Sequence, residues 1–305
     1  ESGRAIASHF SVLVFNVLGS GGLQQPAPPV EQDEPLIVRN LRETFQGIEG
    51  LPTDTTADPS RLQEAWNDAL KFKEDALAAF RLGYLSLKER SMAEQLTWAC
   101  ARALLDRLSD KAKLPDDLKT LSAVLAETYY ANLSIFRSAP DTWAIQQLFP
   151  LMPLHRLNEQ PTRLGHFADL TCDSDGKLSR FINDGQNKPL LELHPLKPHE
   201  PYLIGMFLGG AYQEVMGNLH NLFGSTDAAH IRLSPGGDYQ VDHVVRGDTN
   251  ADVLEMMEHD PVQLLERLRM ASEKAISSGT LRIHESRRLM DHLEISLRQS
   301  TYLQG

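Results

Sequence analysis

The sequence predicts a multidomain chain that joins α/β and α+β parts: a helical bundle, an antiparallel β-domain and a C-terminal helical tail. Three observations predict it. From about residue 36 to 158 apolar residues recur at helical spacing. From 166 to 246 short apolar runs alternate with Gly, Pro and Asp turns, and from Thr249 onward the helical spacing returns. A chain of 305 residues is long enough for a large core and is expected to divide into two or more domains.

Taken in order, residues 5–19, AIASHFSVLVFNVLG, are apolar and β-branched, and periodicity does not separate a buried strand from a buried helix there. His9 in this run is expected to pack rather than to ligate. Residues 19–35 are rich in Gly, Pro and Gln and are expected to form an exposed linker. Asp58-Pro59-Ser60 is a helix start, with proline suited to the first turn. Leu62, Trp66, Ala69, Leu70, Leu77, Phe80 and Tyr84 then recur near helical spacing, and Leu96, Ala99, Ala103, Leu104 and Leu108 make a second stripe. Leu114-Pro115-Asp116-Asp117 opens a third helix, continued by Leu118, Leu121, Leu125 and Tyr129; its acidic start suits the positive end of the helix dipole. Each stripe is expected to be bundle core, with Cys100 packed inside it.

The proline-broken run from Trp143 to Asn158 leads back to a sheet, with His155 and Arg156 as a satisfied pair at a domain junction. Asp184-Gly185, Pro235-Gly236-Gly237-Asp238 and Arg246-Gly247-Asp248 punctuate the strands that follow. Leu264, Leu265, Leu268, Leu289, Leu293 and Leu297 mark the tail as a packing or dimer-forming element.

Composition narrows the function classes. A formal charge of −11 and the lack of clustered Lys and Arg argue against a nucleic-acid surface. No apolar run reaches membrane-spanning length. Two cysteines, Cys100 and Cys172, make neither a disulfide framework nor a zinc spacing, which fits a reducing, cytoplasmic setting.

Three short segments carry chemistry. HFADLTCDSDG, from His166, puts the Cys172 thiol beside Asp173 and Asp175 at the end of an alternating run, where Asp-Gly makes a tight turn. LGGAYQEVMGNLHNLFG, ending at Gly224, sets Gly209, Gly210 and Ala211 before Tyr212; small residues let backbone approach a ligand, and tyrosine offers a hydroxyl. ESGRA, at the first residues, brings a carboxylate, Glu1, close to a guanidinium, Arg4. The plainer alternatives are that Asp173 and Asp175 cap a turn, that Tyr212 packs, and that His220 and Asn221 fix an interface.

These segments resemble the fold-type III pyridoxal-phosphate decarboxylases, and among them the biosynthetic, bacterial and plant type of arginine decarboxylase. TCDSDG resembles the family's cysteine–aspartate motif, GAYQE its glycine–alanine–tyrosine motif, and ESGRA its cofactor-binding Glu-x-Gly-Arg. The extended AYQEVMGNLHNLFG run points to the arginine enzyme over its shorter relatives. The resemblance implies that residues 1–28 end an alanine-racemase-like (β/α)8 barrel and its linker, that 29–160 are a helical-bundle insertion, that 161–248 are the β-domain with the active-site cysteine, and that 249–305 are a helical extension. Because the chain begins inside a motif and without methionine, it is expected to be the C-terminal part of a longer polypeptide whose barrel carries the cofactor lysine.

The implied activity is that of a carboxy-lyase converting L-arginine to agmatine and carbon dioxide in polyamine synthesis. The resemblance assigns Cys172 to protonation of the α-carbon, Asp173 to the cationic end of the substrate and Asp175 to its assistance. It assigns Glu1 to the pyridine nitrogen of pyridoxal 5'-phosphate, and Arg4 and Tyr212 to its phosphate. It also implies a homodimer or higher oligomer in which the cysteine loop enters the neighbouring subunit's site. Magnesium (Mg2+) is associated with this class of enzyme, but no oxygen-ligand loop of recognisable spacing is present. The alternatives are a sibling decarboxylase acting on ornithine, lysine, diaminopimelate or a carboxylated polyamine, and a non-catalytic partner or scaffold.

Overall fold

The computed structural model describes residues 2–23, 26–51, 59–107, 121, 123–183 and 186–304. Two separate apolar cores organise them. The first belongs to a bundle of three long helices: α2 (Leu36–Glu49), α3 (Pro59–Arg81) and α4 (Leu87–Leu105). α4 begins with a reciprocal capping box between Ser86 and Glu89, which satisfies two backbone donors that the first turn leaves open. Its stripe buries Leu96, Ala99, Ala103 and Leu104 as expected, and Cys100 lies wholly inside. Burial pushes the Cys100 thiol up to about 12. The α3 stripe is shifted from its expected phase. Leu62, Trp66 and Ala69 are buried, but Ala76 is the next buried position, and Tyr84 lies beyond the helix, 80% exposed. The expected features at Asp58, Leu108, Leu114 to Leu118 and Asp184-Gly185 fall outside the described residues.

The segment before α2 is not the open linker its composition suggested. Arg42, buried on α2, donates to the carbonyls of Pro28 and Pro29 and pairs with the buried carboxylate of Glu34. A buried guanidinium needs such partners, since leaving its charge unanswered costs several kcal/mol, roughly 3–5.

The second core lies against a seven-stranded sheet in the order β3–β9–β1–β2–β4–β5, with β8 also on β4. The strands are β1 (Val12–Gly21), β2 (Glu127–Ala131), β3 (Leu151–Pro153), β4 (Arg163–Ala168), β5 (Lys177–Leu178), β8 (Leu191–Leu193) and β9 (Tyr202–Phe207). Phe15, Val17, Tyr129, Phe167, Tyr202 and Ile204 meet on its buried side. Two expectations are corrected here. The β-domain does not start at residue 161, because β1 sits inside its sheet, paired to β9 and β2, and so is not the end of a barrel. Nor is the sheet wholly antiparallel, since β2 and β4 run parallel. The helical run also stops short of residue 158. Tyr129, placed on a helix by its spacing, is a buried strand residue whose hydroxyl donates to the His194 carbonyl. His155 and Arg156 are satisfied as expected: His155 Nε2 accepts from Leu203 N, and Arg156 pairs with Glu159.

Two further hairpins complete the β-elements. β6 (Phe181–Asn183) pairs with β7 (Gln186–Lys188), and β10 (Ala228–Leu233) pairs with β11 (Tyr239–Val245). The turn joining β10 and β11 is SPGGD, as its composition predicts, with Gly237 at φ 88°. Three helices form the tail, spanning Asn250–Met256, Pro261–Ser277 and Ile283–Arg298. The first two start with side-chain caps, from Thr249 and Asp260.

Candidate functional site

The cysteine segment leaves β4 and turns back into β5. Asp169, buried at the end of β4, holds the turn. Its Oδ1 accepts from Thr171 N at 2.8 Å and Thr171 Oγ1 at 2.7 Å, and its Oδ2 accepts from Ile135 N at 3.0 Å. Asp169 N donates to the Gly176 carbonyl, which closes the loop around Cys172. A Cβ at Gly176 would collide with the Asp169 carboxylate, so the Asp-Gly pair is needed for closure as well as for the turn. The thiol is thereby presented at an exposed position. Asp173 Oδ1 accepts from Asp175 N at 2.9 Å, the local turn that aspartate favours. The Asp175 side chain lines a neighbouring cavity of about 360 Å³, together with Trp143, Gln146, Lys177 and Arg180.

The second motif is delivered to the same place by two short helices, α5 (Ile135–Ser138) and α6 (Asp141–Ala144). Asp169 fixes the start of α5, while Asn218 N donates to the Phe136 carbonyl at 3.0 Å and Arg137 donates to the Gly217 carbonyl at 3.1 Å. Two residues whose roles sequence reasoning left open now face the cysteine turn. Asn221 Nδ2 lies 3.4 Å from Cys172 Sγ, and its Oδ1 lies 3.7 Å away. His220 packs its ring on Phe136 at 4.3 Å and places Nε2 3.4 Å from Asp173 Oδ2. That Nε2 is buried but lacks the alignment of a hydrogen bond. The two atoms are close enough for Coulomb attraction when the ring is protonated.

A second cluster forms where the first residues meet the glycine–tyrosine motif. Arg4 pairs with Asp141 Oδ2 at 2.9 Å, and its guanidinium lies 5.0 Å from the Tyr212 ring centroid. Asp141 is buried, and Gln213 holds it twice: its Nε2 donates to Asp141 Oδ2 at 2.6 Å, and its Oε1 accepts from Asp141 N at 3.2 Å. Gly210 has a different use from the ligand approach its composition suggested. Its N–H donates to the Ser8 carbonyl, and a Cβ there would collide with the Ala7 carbonyl, so the close approach is to the chain's own first segment. His9 is exposed and stacks on Phe10 at 4.5 Å. Tyr212 takes φ 70°, a left-handed conformation that a tyrosine adopts at some cost. Glu1 lies outside the described residues.

The two clusters share the segment Ile135–Ala144. One gathers a thiol, a carboxamide, an imidazole and a carboxylate; the other gathers a guanidinium and a phenol on a buried carboxylate. Among the described residues no three His, Cys, Asp or Glu side chains stand together as a metal site, and no helix is long and apolar enough to cross a membrane.

Comparison with known proteins finds similarity along the whole chain. Residues 31–122 match the model of the arginine decarboxylase helical bundle domain, and residues 251–303 match that of the arginine decarboxylase C-terminal helical extension. The chain is 70% identical over 305 residues to a biosynthetic arginine decarboxylase of Prochlorococcus marinus (strain MIT 9313), covering 100% of this chain and 47% of that protein. The chain therefore carries two domains described for arginine decarboxylases and is similar over its whole length to part of such a protein. A second biosynthetic arginine decarboxylase, from Synechococcus sp. (strain RCC307), is 71% identical over 305 residues, with 100% of this chain and 46% of that protein covered. The crystal structure of the biosynthetic arginine decarboxylase of Campylobacter jejuni superposes with a TM-score of 0.79 at 30% identity, over 99% of this chain and 47% of that one. The chain thus spans about half the length of the curated arginine decarboxylases it matches. The helical bundle is the domain that the family model describes, and among the described residues no full barrel is formed.

Proposed function

We propose that this chain is part of an enzyme that decarboxylates L-arginine to agmatine and carbon dioxide for polyamine synthesis, and that it supplies the residue that protonates the product. The observation that carries this is the meeting of Cys172 and Asp173 with His220 and Asn221 on one rim, in a chain 70% identical throughout to a biosynthetic arginine decarboxylase. The cofactor is pyridoxal 5'-phosphate, and the donors at the second cluster fit it. A guanidinium and a phenolic hydroxyl are donor groups suited to phosphate oxygens, and both are held on a buried scaffold. When bound, the cofactor accepts the electron pair left on the α-carbon as carbon dioxide departs. The role of Glu1 at the pyridine nitrogen rests on the resemblance of its sequence motif alone.

The remaining steps belong to this chain's own side chains. Asp173 attracts the cationic end of arginine, and Asp175 adds negative charge nearby. Cys172 gives its proton to the α-carbon: a C–H bond forms as the S–H bond breaks, and solvent returns a proton to the thiolate. Thr171 and Asp169 hold the loop that aims the thiol. The cysteine loop acts in the site of a neighbouring subunit, so the enzyme is a homodimer or larger assembly, and it works in the cytoplasm.

The test is substrate choice by the full-length enzyme that carries this chain. Arginine, ornithine, lysine and diaminopimelate are offered separately, and carbon dioxide and amine are measured. Agmatine from arginine is expected to dominate. Turnover of another amino acid with none of arginine moves the chain to a sibling activity.

A further inference from the structure

We propose that Asn221 is the positioning residue of the Cys172 thiol, holding the sulfur before proton transfer and stabilising the thiolate after it. The inference rests on the proton-donor role given to Cys172 above. Both ends of one carboxamide reach the sulfur: Nδ2 at 3.4 Å and Oδ1 at 3.7 Å. A carboxamide is donor and acceptor at once. Its oxygen receives the S–H bond while the sulfur is protonated, and its N–H groups answer the negative charge once the proton has gone. One side chain therefore serves both states without moving the backbone.

The sulfur needs such a partner because its neighbours are divided. Asp173, the next residue, carries a negative charge that opposes a thiolate, and His220, beside Asp173, can offset it only when protonated. A neutral donor stabilises the thiolate whatever the state of the imidazole. The carboxamide is also anchored. Asn221 lies at φ 55° and ψ 22°, a left-handed conformation that asparagine and glycine tolerate better than most residues. The turn beneath it is fixed by Leu222 N to the Leu219 carbonyl at 2.8 Å, by His220 N to Asn218 Oδ1 at 2.9 Å, and by Asn218 N to the Phe136 carbonyl. Residue 221 thus meets two demands that few side chains meet together: a left-handed backbone and a carboxamide at the sulfur.

The experiment compares Asn221→Gly and Asn221→Asp with the parent in the full-length enzyme. Glycine keeps the left-handed backbone and removes the carboxamide; aspartate keeps the shape and replaces the donor with a charge. Alkylation of Cys172 by iodoacetamide is followed across pH by mass spectrometry of its peptide, and agmatine formed per carbon dioxide released is measured alongside. For Asn221→Gly the alkylation midpoint is expected to rise by about one pH unit, roughly a tenfold loss of thiolate near neutrality, as fits one hydrogen bond to a charged sulfur. For Asn221→Asp it is expected to rise further, and the product ratio falls in both. A thermal transition unchanged in Asn221→Gly separates these effects from loss of fold. Superimposable alkylation profiles for Asn, Gly and Asp, while Cys172→Ala still lowers the product ratio, overturn the Asn221 inference alone. An unchanged product ratio in Cys172→Ala overturns the proton-donor role, and the inference with it.

Discussion

Asp169→Ala tests how the cysteine turn is built. Asp169 is only 8% exposed, and its carboxylate accepts three hydrogen bonds, from Thr171 N, Thr171 Oγ1 and Ile135 N. Alanine removes all three acceptors. The buried Ile135 N–H at the start of α5 is left without a partner, at about 1–3 kcal/mol, and each bond from the partly accessible Thr171 contributes about 0.5–1.5 kcal/mol. The sum is on the order of 3 kcal/mol, which corresponds to about a hundredfold rise in local opening. Amide hydrogen exchange of the peptides spanning Ile135 and Thr171 in the full-length enzyme reads this directly. Exchange there is expected to accelerate about a hundredfold, with the bundle helices unchanged. Asp169→Asn, which keeps one carbonyl oxygen, is expected to fall between. Acceleration of less than threefold in Asp169→Ala would refute the claim that this carboxylate holds the turn.

Three other outcomes follow from the same geometry. Asp173→Asn in the full-length enzyme is expected to weaken arginine more than cofactor, by about 2–5 kcal/mol for a partly desolvated charge pair, seen as a KM raised at least about thirtyfold; an unchanged KM with lost cofactor affinity contradicts this. The buried pair of Glu34 and Arg42 predicts acid sensitivity of the bundle. Hydrogen bonding from Arg42 holds the Glu34 carboxyl below its ordinary 4.5, so its stabilisation is complete above that pH and is lost as pH falls below it. Arg42→Met should flatten the acid limb of a thermal-denaturation series between pH 5 and about 3, and an equal slope in both proteins argues against the pair. The 305-residue chain alone, mixed with pyridoxal 5'-phosphate and arginine, is expected to form no agmatine, and robust turnover by it contradicts the division of labour.

How much of this the sequence disclosed depends on whether the signal was local. The SPGGD turn and the stripe of α4 are written in residues a few positions apart, and they appear where expected. The cysteine turn was legible for the same reason, since Asp-Ser-Asp-Gly closes on itself. β1 was not legible. Its pairing partner β9 lies some 190 residues away, at Tyr202 to Phe207, and a buried apolar run does not announce which sheet it joins. Tyr129 kept the helical rhythm of Leu121 and Leu125 by chance, although the chain had already passed from helix to strand. The pinned segment before α2 was hidden because its order comes from Arg42, nearly two helical turns into the following element. His220 and Asn221 were visible as an unusual pair, but only folding through α5 brings them to Cys172. Asp169 carried a signal that was overlooked: an aspartate two residues before a threonine is a ready side-chain turn.

The claim that Cys172 supplies the proton completing decarboxylation is tested most directly by product stoichiometry. Cys172→Ala is made in the full-length enzyme, and agmatine and carbon dioxide from L-arginine are counted in a single turnover. The parent should form one agmatine for each carbon dioxide. The variant should still release carbon dioxide, because the groups that accept the electron pair remain, while agmatine falls well short of it and the corresponding aldehyde, 4-guanidinobutanal, makes up the difference. An agmatine yield equal to the carbon dioxide released, at a rate near the parent's, would contradict the account.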